Sequence, residues 1–301
     1  MKPVVILEFP SNLGLKEPSP GHEPGVRKLP EWLHRFGFHQ KIDAAKIIRL
    51  EPPAYSMQMD QPSGVRNADA IVSYALEQAD LIKDVMADDL FPLVIGGDCS
   101  ILIGNAAGLR SLGNYGLFFL DGHHDYMWPA LSETGGAAGM DTAIVTGNGH
   151  EKLTNINGLK PYFKEEYVWC VGNREYDEEY IAAIRQSAIH YTDLDTLRKH
   201  GISHCINEFL QMVRSSALDG FWIHLDVDVL NDELMPAVDS RSPGGLSYEE
   251  LDGCLGPLLA APELSGIEIT ILDPELDEKG KYTKMFVDRF TKLFNASRMI
   301  R

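Results

Sequence analysis

Three things are scarce in this 301-residue sequence: cysteine, long apolar runs and net positive charge. The four cysteines form no CxxC pair and no closely spaced framework, which argues against a disulfide-stapled secreted domain and predicts a reducing, cytoplasmic location. The apolar run Val4–Leu7 soon meets Glu8 and Pro10. It is too short for a signal-peptide core or a membrane span, and it predicts a first buried strand instead.

Acidic residues outnumber basic ones so far that the formal net charge is -17. Such a field repels phosphate backbones and anionic lipid headgroups, which argues against nucleic acid and membranes as partners and favours a small-molecule ligand that carries positive charge. The same acidity can also be a solubility feature of the surface, since net charge says little about any one site.

The composition allows a sizeable core, because 44% of the residues are apolar and 24% are charged. Short apolar runs alternate with stretches of helical period, and no repeat or linker divides them, so we predict a single domain over residues 1–301. The clearest predicted strands are Pro92–Ile95, Gly116–Leu120, Tyr167–Val171, Gly220–Leu225 and Ile267–Leu272, with helices such as Ala68–Met86 and Ile181–Ser187. This order predicts a three-layer α/β/α fold with a central, mostly parallel sheet.

Acidic residues cluster where three of these runs end. The segments are Gly96–Ser100, Asp121–Asp125 and His224–Asp228. Side chains two apart in an extended segment point the same way, which pairs Asp121 with His123 and Asp226 with Asp228, while Asp125 follows just past its strand. Carboxylates this close repel one another unless a cation lies between them, so we predict a divalent metal cluster. The alternative is that they are separate helix caps and turn residues.

In order and spacing these motifs resemble the metal motifs of the ureohydrolase superfamily, the arginase, agmatinase and formimidoylglutamase group of binuclear manganese enzymes. The resemblance extends to Glu23–Val26, Val171–Asp177, Pro236–Gly245 and Gly266–Pro274, and it covers nearly the whole chain. It implies a central eight-stranded parallel sheet, trimeric or hexameric assembly and one or two bound Mn²⁺ ions.

The resemblance also implies a set of site residues. The family's metal ligands match Asp121, His123, Asp125, Asp226 and Asp228, with Asp121 and Asp226 in bridging positions. Asp125 would in addition act in catalysis by orienting a hydroxide shared by two cations. Such a hydroxide forms at neutral pH and attacks a planar trigonal carbon, after which ammonia or an amine leaves.

The first departure from the family is Cys99, which stands where the first motif otherwise ends in a metal-binding histidine. A thiolate is a softer ligand and would favour Zn²⁺ over Mn²⁺. A neutral buried cysteine would instead pack inertly and leave that metal site weak or empty. Both interpretations stay open at this level.

The second departure is Ile271, at the position of the family's guanidinium-binding glutamate. An apolar side chain cannot pair with a guanidinium, which makes arginine or agmatine hydrolysis doubtful. Asp273 lies two residues further on and could face the same side of the predicted strand, so it is a candidate substrate-binding residue. The alternative is that Asp273 is polar for an unrelated reason.

The third departure concerns the pocket mouth. The family's proton-shuttling histidine is replaced within Ala137–Met140, and Tyr126 and Trp128 make the segment after the second motif aromatic. We treat both aromatic residues as substrate-binding candidates. His124 could replace the shuttle as a catalytic residue, although neighbours on a strand face opposite ways and a structural role is the alternative.

Asp177 matches a family position that contacts the amino end of the substrate. The alternative is a helix N-terminal acid, because Glu178 and Glu179 follow it.

Three hypotheses follow. The first is a divergent metal-dependent hydrolase of amidine or amide C–N bonds whose substrate lacks a simple guanidinium. The second is a single-metal zinc amide hydrolase, because the Asp-Gly-His-His-Asp run is similar to a motif of the related zinc-dependent deacetylases. The third is a catalytically weak relative that serves as a metal-binding or assembly subunit.

Overall fold

Residues 2–299 are described by the computed structural model, and this part of the chain contains ten strands. They are β1 Val4–Glu8, β2 Lys46–Arg49, β3 Met59–Asp60, β4 Val65–Arg66, β5 Phe91–Ile95, β6 Tyr115–Leu120, β7 Val168–Val171, β8 His190–Thr192, β9 Gly220–Asp226 and β10 Leu264–Thr270. Eight of them form one sheet in the order β2-β1-β5-β10-β9-β6-β7-β8, and every neighbouring pair in it is parallel. The strands β3 and β4 form a separate antiparallel pair.

Eleven α-helices lie in the same part of the chain. They are α1 Leu29–Arg35, α2 Phe38–Ile42, α3 Ala68–Ala87, α4 Ile101–Leu112, α5 Asp141–Val145, α6 Glu151–Thr154, α7 Glu178–Gln186, α8 Leu194–His200, α9 Ile202–Ser215, α10 Tyr248–Ala260 and α11 Lys281–Arg298. Over residues 2–299, none of them combines the length and the apolar composition that crossing a membrane requires.

Two apolar cores cover the two faces of the sheet. Alternate strand residues such as Val94 and Phe119 pack with α3 and α4, while their neighbours Ile95 and Phe118 pack with α9, α10 and α11. Because both faces are buried, the central strands are continuous apolar runs, as expected for a parallel sheet between helices. The predicted three-layer α/β/α fold is confirmed.

Sheet topology decides which strand ends meet. The central order β5-β10-β9-β6 places four carboxyl ends side by side, although these strands are far apart in the sequence. Two of the three acidic segments follow β5 and β6, and the third begins within the last residues of β9, so parallel pairing alone gathers them at one edge.

The limits of one predicted strand differ from the observed limits by more than one residue. β10 begins at Leu264 and ends at Thr270, whereas the sequence predicted a strand from Ile267 to Leu272. The reason is a tight turn at Ile271, which has φ +76°, so that the Leu272 amide donates to the Thr270 carbonyl at 3.1 Å. Ile271 and Asp273 are therefore not alternate residues of one strand.

Candidate metal centre

The first donor group consists of Asp121, His123 and Asp228. The His123 Nδ1 atom lies 2.9 Å from Asp228 Oδ2 and 3.6 Å from Asp121 Oδ1. One ligand atom from each residue lies within 4.8 Å of the others. The parallel pairing of β6 with β9 therefore brings three of the predicted ligands together.

The second donor group contains Cys99, Asp121, His224 and Asp226, and all four are buried. Cys99 Sγ lies 2.9 Å from Asp226 Oδ2 and 3.2 Å from Thr270 Oγ1. Asp121 belongs to both groups, so the two groups share one carboxylate. This sharing fits the predicted bridging position of Asp121, which stays a prediction.

Close backbone packing explains the glycines of two motifs. A Cβ atom at Gly97 would lie 1.7 Å from the Ser11 carbonyl oxygen, and the Asp98 amide donates to that carbonyl at 3.1 Å. A Cβ atom at Gly122 would lie 2.8 Å from Asp228 Oδ1, which accepts from the Gly122 amide at 3.0 Å. Only glycine allows these approaches, which hold the ends of β5 and β6 against their neighbours.

Unpartnered atoms test whether these residues fit a cation. Asp121 Oδ2, Asp141 Oδ2 and His224 Nε2 are buried and, among the described residues, have no hydrogen-bond partner. Buried polar atoms are normally satisfied, and leaving them bare destabilises a fold. A divalent cation accepts electron pairs from carboxylate oxygen and imidazole nitrogen at once, so the donor set fits a metal.

Burial and mutual repulsion shift the pKa values of the acids in the cluster. Burial and the nearby carboxylates raise the pKa of Asp125, Asp141 and Asp226 well above the ordinary value. Burial would also raise the pKa of Asp121, but His123 and His224 hold it low. The metal-free protein therefore keeps protons in this cluster that a bound cation would displace.

We expect the metal-free and metal-loaded proteins to diverge in stability as pH rises. Asp125, Asp141 and Asp226 have raised pKa values in the folded state, so that state binds more protons than the unfolded one above the ordinary carboxyl pKa of 3.8. Their stabilising contribution is therefore complete below that pH and is lost as pH rises through the folded pKa values. Cation binding requires the ionised carboxylates, so its stabilisation grows over the same range.

Calorimetry of chelator-treated and metal-loaded protein at several pH values checks this prediction. The Tm difference between the two forms should increase with pH, and acids outside the site cancel in that difference. A constant or shrinking difference would contradict a cation bound by these carboxylates.

Asp125 is the last residue of the second motif and has φ +45°. Its carboxyl belongs to neither donor group among the described residues, although Asp121 is close enough to raise its pKa. Its roles as ligand and catalytic residue stay predictions.

His124 lies away from both donor groups. Its ring is buried and stacks on Tyr180 with a centroid distance of 3.9 Å. Nδ1 accepts from the Tyr126 amide at 2.9 Å, and Nε2 lies 3.0 Å from the Tyr180 carbonyl oxygen. Burial lowers the pKa of His124 to about 4, so the ring is neutral near pH 7. The predicted proton-shuttle role gains no support from this arrangement, which favours the structural alternative.

Replacing His124 by asparagine separates these roles. The Asn Oδ1 atom can still accept from the Tyr126 amide, while the bond to the Tyr180 carbonyl and the ring stacking are lost. We expect a loss of about 1–3 kcal/mol in the free energy of unfolding and an unchanged pH profile of kcat/KM. Urea denaturation measures the first effect and a pH–rate profile the second. Loss of one limb of the pH–rate profile in the variant would support the proton-shuttle role of His124.

Tyr126 and Trp128 lie next to a surface cavity of about 560 Å³. Tyr126 is buried and donates its hydroxyl to Glu165 Oε1 at 2.6 Å, and its ring meets that of Trp128 edge-on at 6.3 Å. No described residue that lines this cavity belongs to either donor group, so the aromatic pocket mouth stays a prediction. Contact of either residue with a substrate stays a prediction.

Asp177 and Asp273 both cap local structure. Asp177 is exposed, and its Oδ1 accepts from the Glu179 and Tyr180 amides at the start of α7. Asp273 accepts from the Gly25 amide at 3.1 Å and from the Glu275 amide at 2.8 Å. The structure brings neither carboxyl into the donor groups, so their substrate-binding roles stay predictions that this geometry does not favour.

Sequence reasoning missed four residues around the site. They are Asp141, Arg174, His224 and Glu268. Arg174 donates from Nη2 to the Asp228 carbonyl at 2.7 Å and to the Ser242 carbonyl at 2.9 Å, which fixes the end of β9. The signal for His224 was visible, because it lies two residues before Asp226 and so shares its side of the strand.

Fold and site together define a three-layer α/β protein with a buried candidate metal centre at the carboxyl edge of its parallel sheet. The relatives of this chain among known proteins agree with that description. Arginase from Brevibacillus brevis is 33% identical over 227 residues, which are 75% of this chain and 76% of that relative. Arginase from Bacillus caldovelox is 29% identical over 301 residues, covering 99% of this chain and 100% of the relative.

The solved structure of the Bacillus caldovelox arginase superposes with a TM-score of 0.86 at 28% identity, and 98% of each chain is covered. The model of the Arginase family matches residues 2–293. The chain therefore belongs to the Arginase family and is an arginase-family hydrolase. The resemblance predicted from the motifs is confirmed.

Proposed function

We propose that the protein hydrolyses a C–N bond in a small amidine or amide substrate with the help of divalent cations. The observation that carries this proposal is the pair of donor groups that share Asp121 at the carboxyl edge of the sheet. Cations bound there supply a water of lowered pKa and electrostatic stabilisation of the charge that develops on the substrate. The reaction consumes one water and releases ammonia or an amine.

The chain's own residues hold and orient the reactants in this proposal. Asp121, His123 and Asp228 hold one cation, and Asp121 also serves the second donor group. Asp125 orients the attacking water by accepting a hydrogen bond from it. Arg174 keeps Asp228 in place through its bond to the Asp228 carbonyl.

The substrate is proposed to differ from a simple guanidinium compound. Ile271 is apolar and only 4% exposed, so it provides no charge for a guanidinium. Ala138, within the segment that otherwise holds a shuttling histidine, is also buried and apolar. Modified guanidines, formimino compounds and amides fit these changes better than arginine does. The named relatives are arginases, so arginine and agmatine belong among the first compounds to test.

A substrate screen tests the proposal. Protein loaded with Mn²⁺ or Zn²⁺ is offered each compound class, and release of urea, ammonia and amine is measured. Asp226→Asn should abolish any release, because it neutralises a carboxylate of the second donor group. Asp277→Asn is the matched control, since Asp277 is a buried acid that accepts from the Thr283 amide and hydroxyl. Metal-loaded protein that releases nothing from any class would favour a metal-binding relative without catalysis.

Cys99 favours a second candidate, a single-metal amide hydrolase that uses zinc. Its sulfur lies within the second donor group, and a thiolate binds Zn²⁺ in preference to Mn²⁺. Metal content per chain separates the candidates when chelator-free protein is offered each ion in turn. Two ions support the binuclear hydrolase, and one zinc ion supports this alternative.

Assembly and location are part of the proposal as well. We propose a homo-oligomer, trimeric or hexameric, of one domain per chain in the cytoplasm. The four cysteines are free and buried, which agrees with a reducing compartment. Light scattering of the purified protein measures the subunit number.

A further inference from the structure

His224 is the least expected residue of the candidate centre. It lies in β9, two residues before Asp226, and is fully buried. Its Nδ1 atom lies 2.5 Å from Glu268 Oε1. Its Nε2 atom has no hydrogen-bond partner among the described residues, and the Asp121 Oδ2 atom, also unpartnered, lies 3.8 Å away.

Glu268 and its neighbours hold this ring in one orientation. Glu268 lies in β10 and accepts at Oε2 from Asn105 Nδ2 at 2.5 Å and from Trp222 Nε1 at 3.1 Å. The Phe119 ring stacks on His224 with a centroid distance of 4.4 Å and an interplanar angle of 6°. Because a carboxylate only accepts, His224 must donate from Nδ1, and in the neutral ring the lone pair of Nε2 faces the donor group.

A carboxylate that holds a histidine whose other nitrogen is bare is the arrangement found behind metal-binding histidines. Here it occurs in a strand next to Asp226, within 4.8 Å of the Cys99 sulfur. The family resemblance places an imidazole at position 99, where this chain has a thiol, and β9 places an imidazole in the same donor group.

We propose that Cys99, Asp121, His224 and Asp226 form a four-ligand site for a borderline-soft divalent cation such as Zn²⁺, with Glu268 as the positioning residue of His224. The inference rests on the proposed function, and it adds the donor set and the class of cation. One sulfur, one nitrogen and two oxygens are a donor set that suits tetrahedral Zn²⁺ and its spectroscopic substitute Co²⁺. The cation of this site would differ from the ion held by the oxygen-rich group around His123.

A different arrangement would use no second cation. In it an imidazolium at His224 neutralises Asp121, and Cys99 keeps its proton. The two arrangements differ in whether a thiolate–metal bond forms, and absorption spectroscopy detects that bond directly.

The experiment titrates the chelator-treated protein with Co²⁺ and records ultraviolet and visible spectra. The native sequence should develop thiolate-to-cobalt charge-transfer absorption together with the intense visible bands of tetrahedral Co²⁺. Cys99→Ser should lose the charge-transfer absorption. His224→Asn should weaken Co²⁺ binding at this site by about 100-fold or more. Glu268→Gln should weaken it by about 10- to 100-fold, since replacing a carboxylate that hydrogen-bonds to a metal-binding histidine has an effect of that size.

Matched controls keep these results specific. Cys254→Ser removes another buried thiol, and His39→Asn breaks another buried histidine–glutamate pair, in which His39 Nε2 lies 2.8 Å from Glu8 Oε1. Both should leave the cobalt spectrum unchanged. His224→Asn keeps an N–H donor for Glu268, and if it still does not fold, Glu268→Gln decides the role of the pair.

The outcomes separate this inference from the proposed function. Charge-transfer absorption that Cys99→Ser abolishes and His224→Asn weakens supports the four-ligand site. Cobalt bound without charge-transfer absorption, or absorption indifferent to His224→Asn and Glu268→Gln, overturns the four-ligand site and leaves the hydrolase proposal standing. Protein that binds no divalent cation overturns both.

Discussion

Asp121→Asn is expected to remove cation binding from both donor groups and to lower kcat/KM by about 1000-fold or more, a loss of about 4 kcal/mol in transition-state stabilisation. Asp121 is the one residue that belongs to both groups. An amide is neutral and a far weaker ligand than a carboxylate, so each group loses charge as well as a donor.

The fold should survive this change. Asp121 Oδ1 accepts from the His123 amide at 2.7 Å, and the Asn Oδ1 atom can accept the same bond. Metal content by mass spectrometry and the Tm without metal therefore distinguish a lost ligand from a lost fold. The control is Asp277→Asn, because Asp277 is a buried acid outside the donor groups. This variant should keep both cations and full activity. An Asp121→Asn protein that still holds two ions would show that Asp121 is no bridging ligand.

The strand-end motifs were predictable because their physics is local. Apolar runs that end in Asp-Gly-His or in Asp-Val-Asp predict both a buried strand and a polar group at its carboxyl end, and parallel pairing gathers such ends at one edge. Asp121, His123 and Asp228 therefore meet as the sequence predicted.

The support behind the site was not predictable in the same way. Glu268 meets His224 only because β10 lies between β5 and β9, a neighbour relation that no local pattern encodes. Asn105 reaches Glu268 from α4, which comes from yet another part of the chain. Such buried polar residues are stabilised by hydrogen-bond partners that lie far away in the sequence. A local residue pattern therefore reveals one member of each pair and not its partner.

The prediction of where β10 ends failed for a different reason. Isoleucine favours extended backbone, and φ +76° is a rare conformation for a β-branched residue. Propensity therefore predicted a strand through Leu272, while the tertiary contact between the Ile271 amide and the Gly97 carbonyl, at 2.8 Å, holds the turn. Strained positions of this kind occur beside functional sites more than elsewhere.

Ile271→Glu is expected to raise hydrolysis of arginine or agmatine by about 10- to 100-fold, because a hydrogen-bonded ion pair contributes about 1.5–3 kcal/mol. The change restores the acid that the family resemblance places at this position. Ile271 belongs to the same buried cluster as Cys99 and Ala138, and the turn that carries it follows Thr270, which accepts from the Cys99 thiol. A carboxylate introduced at position 271 is thus close to the candidate centre.

Two controls assign any gain to the new charge. Ile271→Gln has the same length without the charge, and Ile271→Leu removes only the β-branch, which relieves strain at positive φ. Neither should hydrolyse guanidinium compounds faster than the native sequence, and both should unfold at an equal or higher temperature than Ile271→Glu, whose carboxylate is buried without a partner until substrate binds. Steady-state urea release and thermal unfolding measure these effects. Equal rates for the Glu and Gln variants, or a native protein that already matches Ile271→Glu on arginine, would show that this chain recognises a guanidinium by other groups.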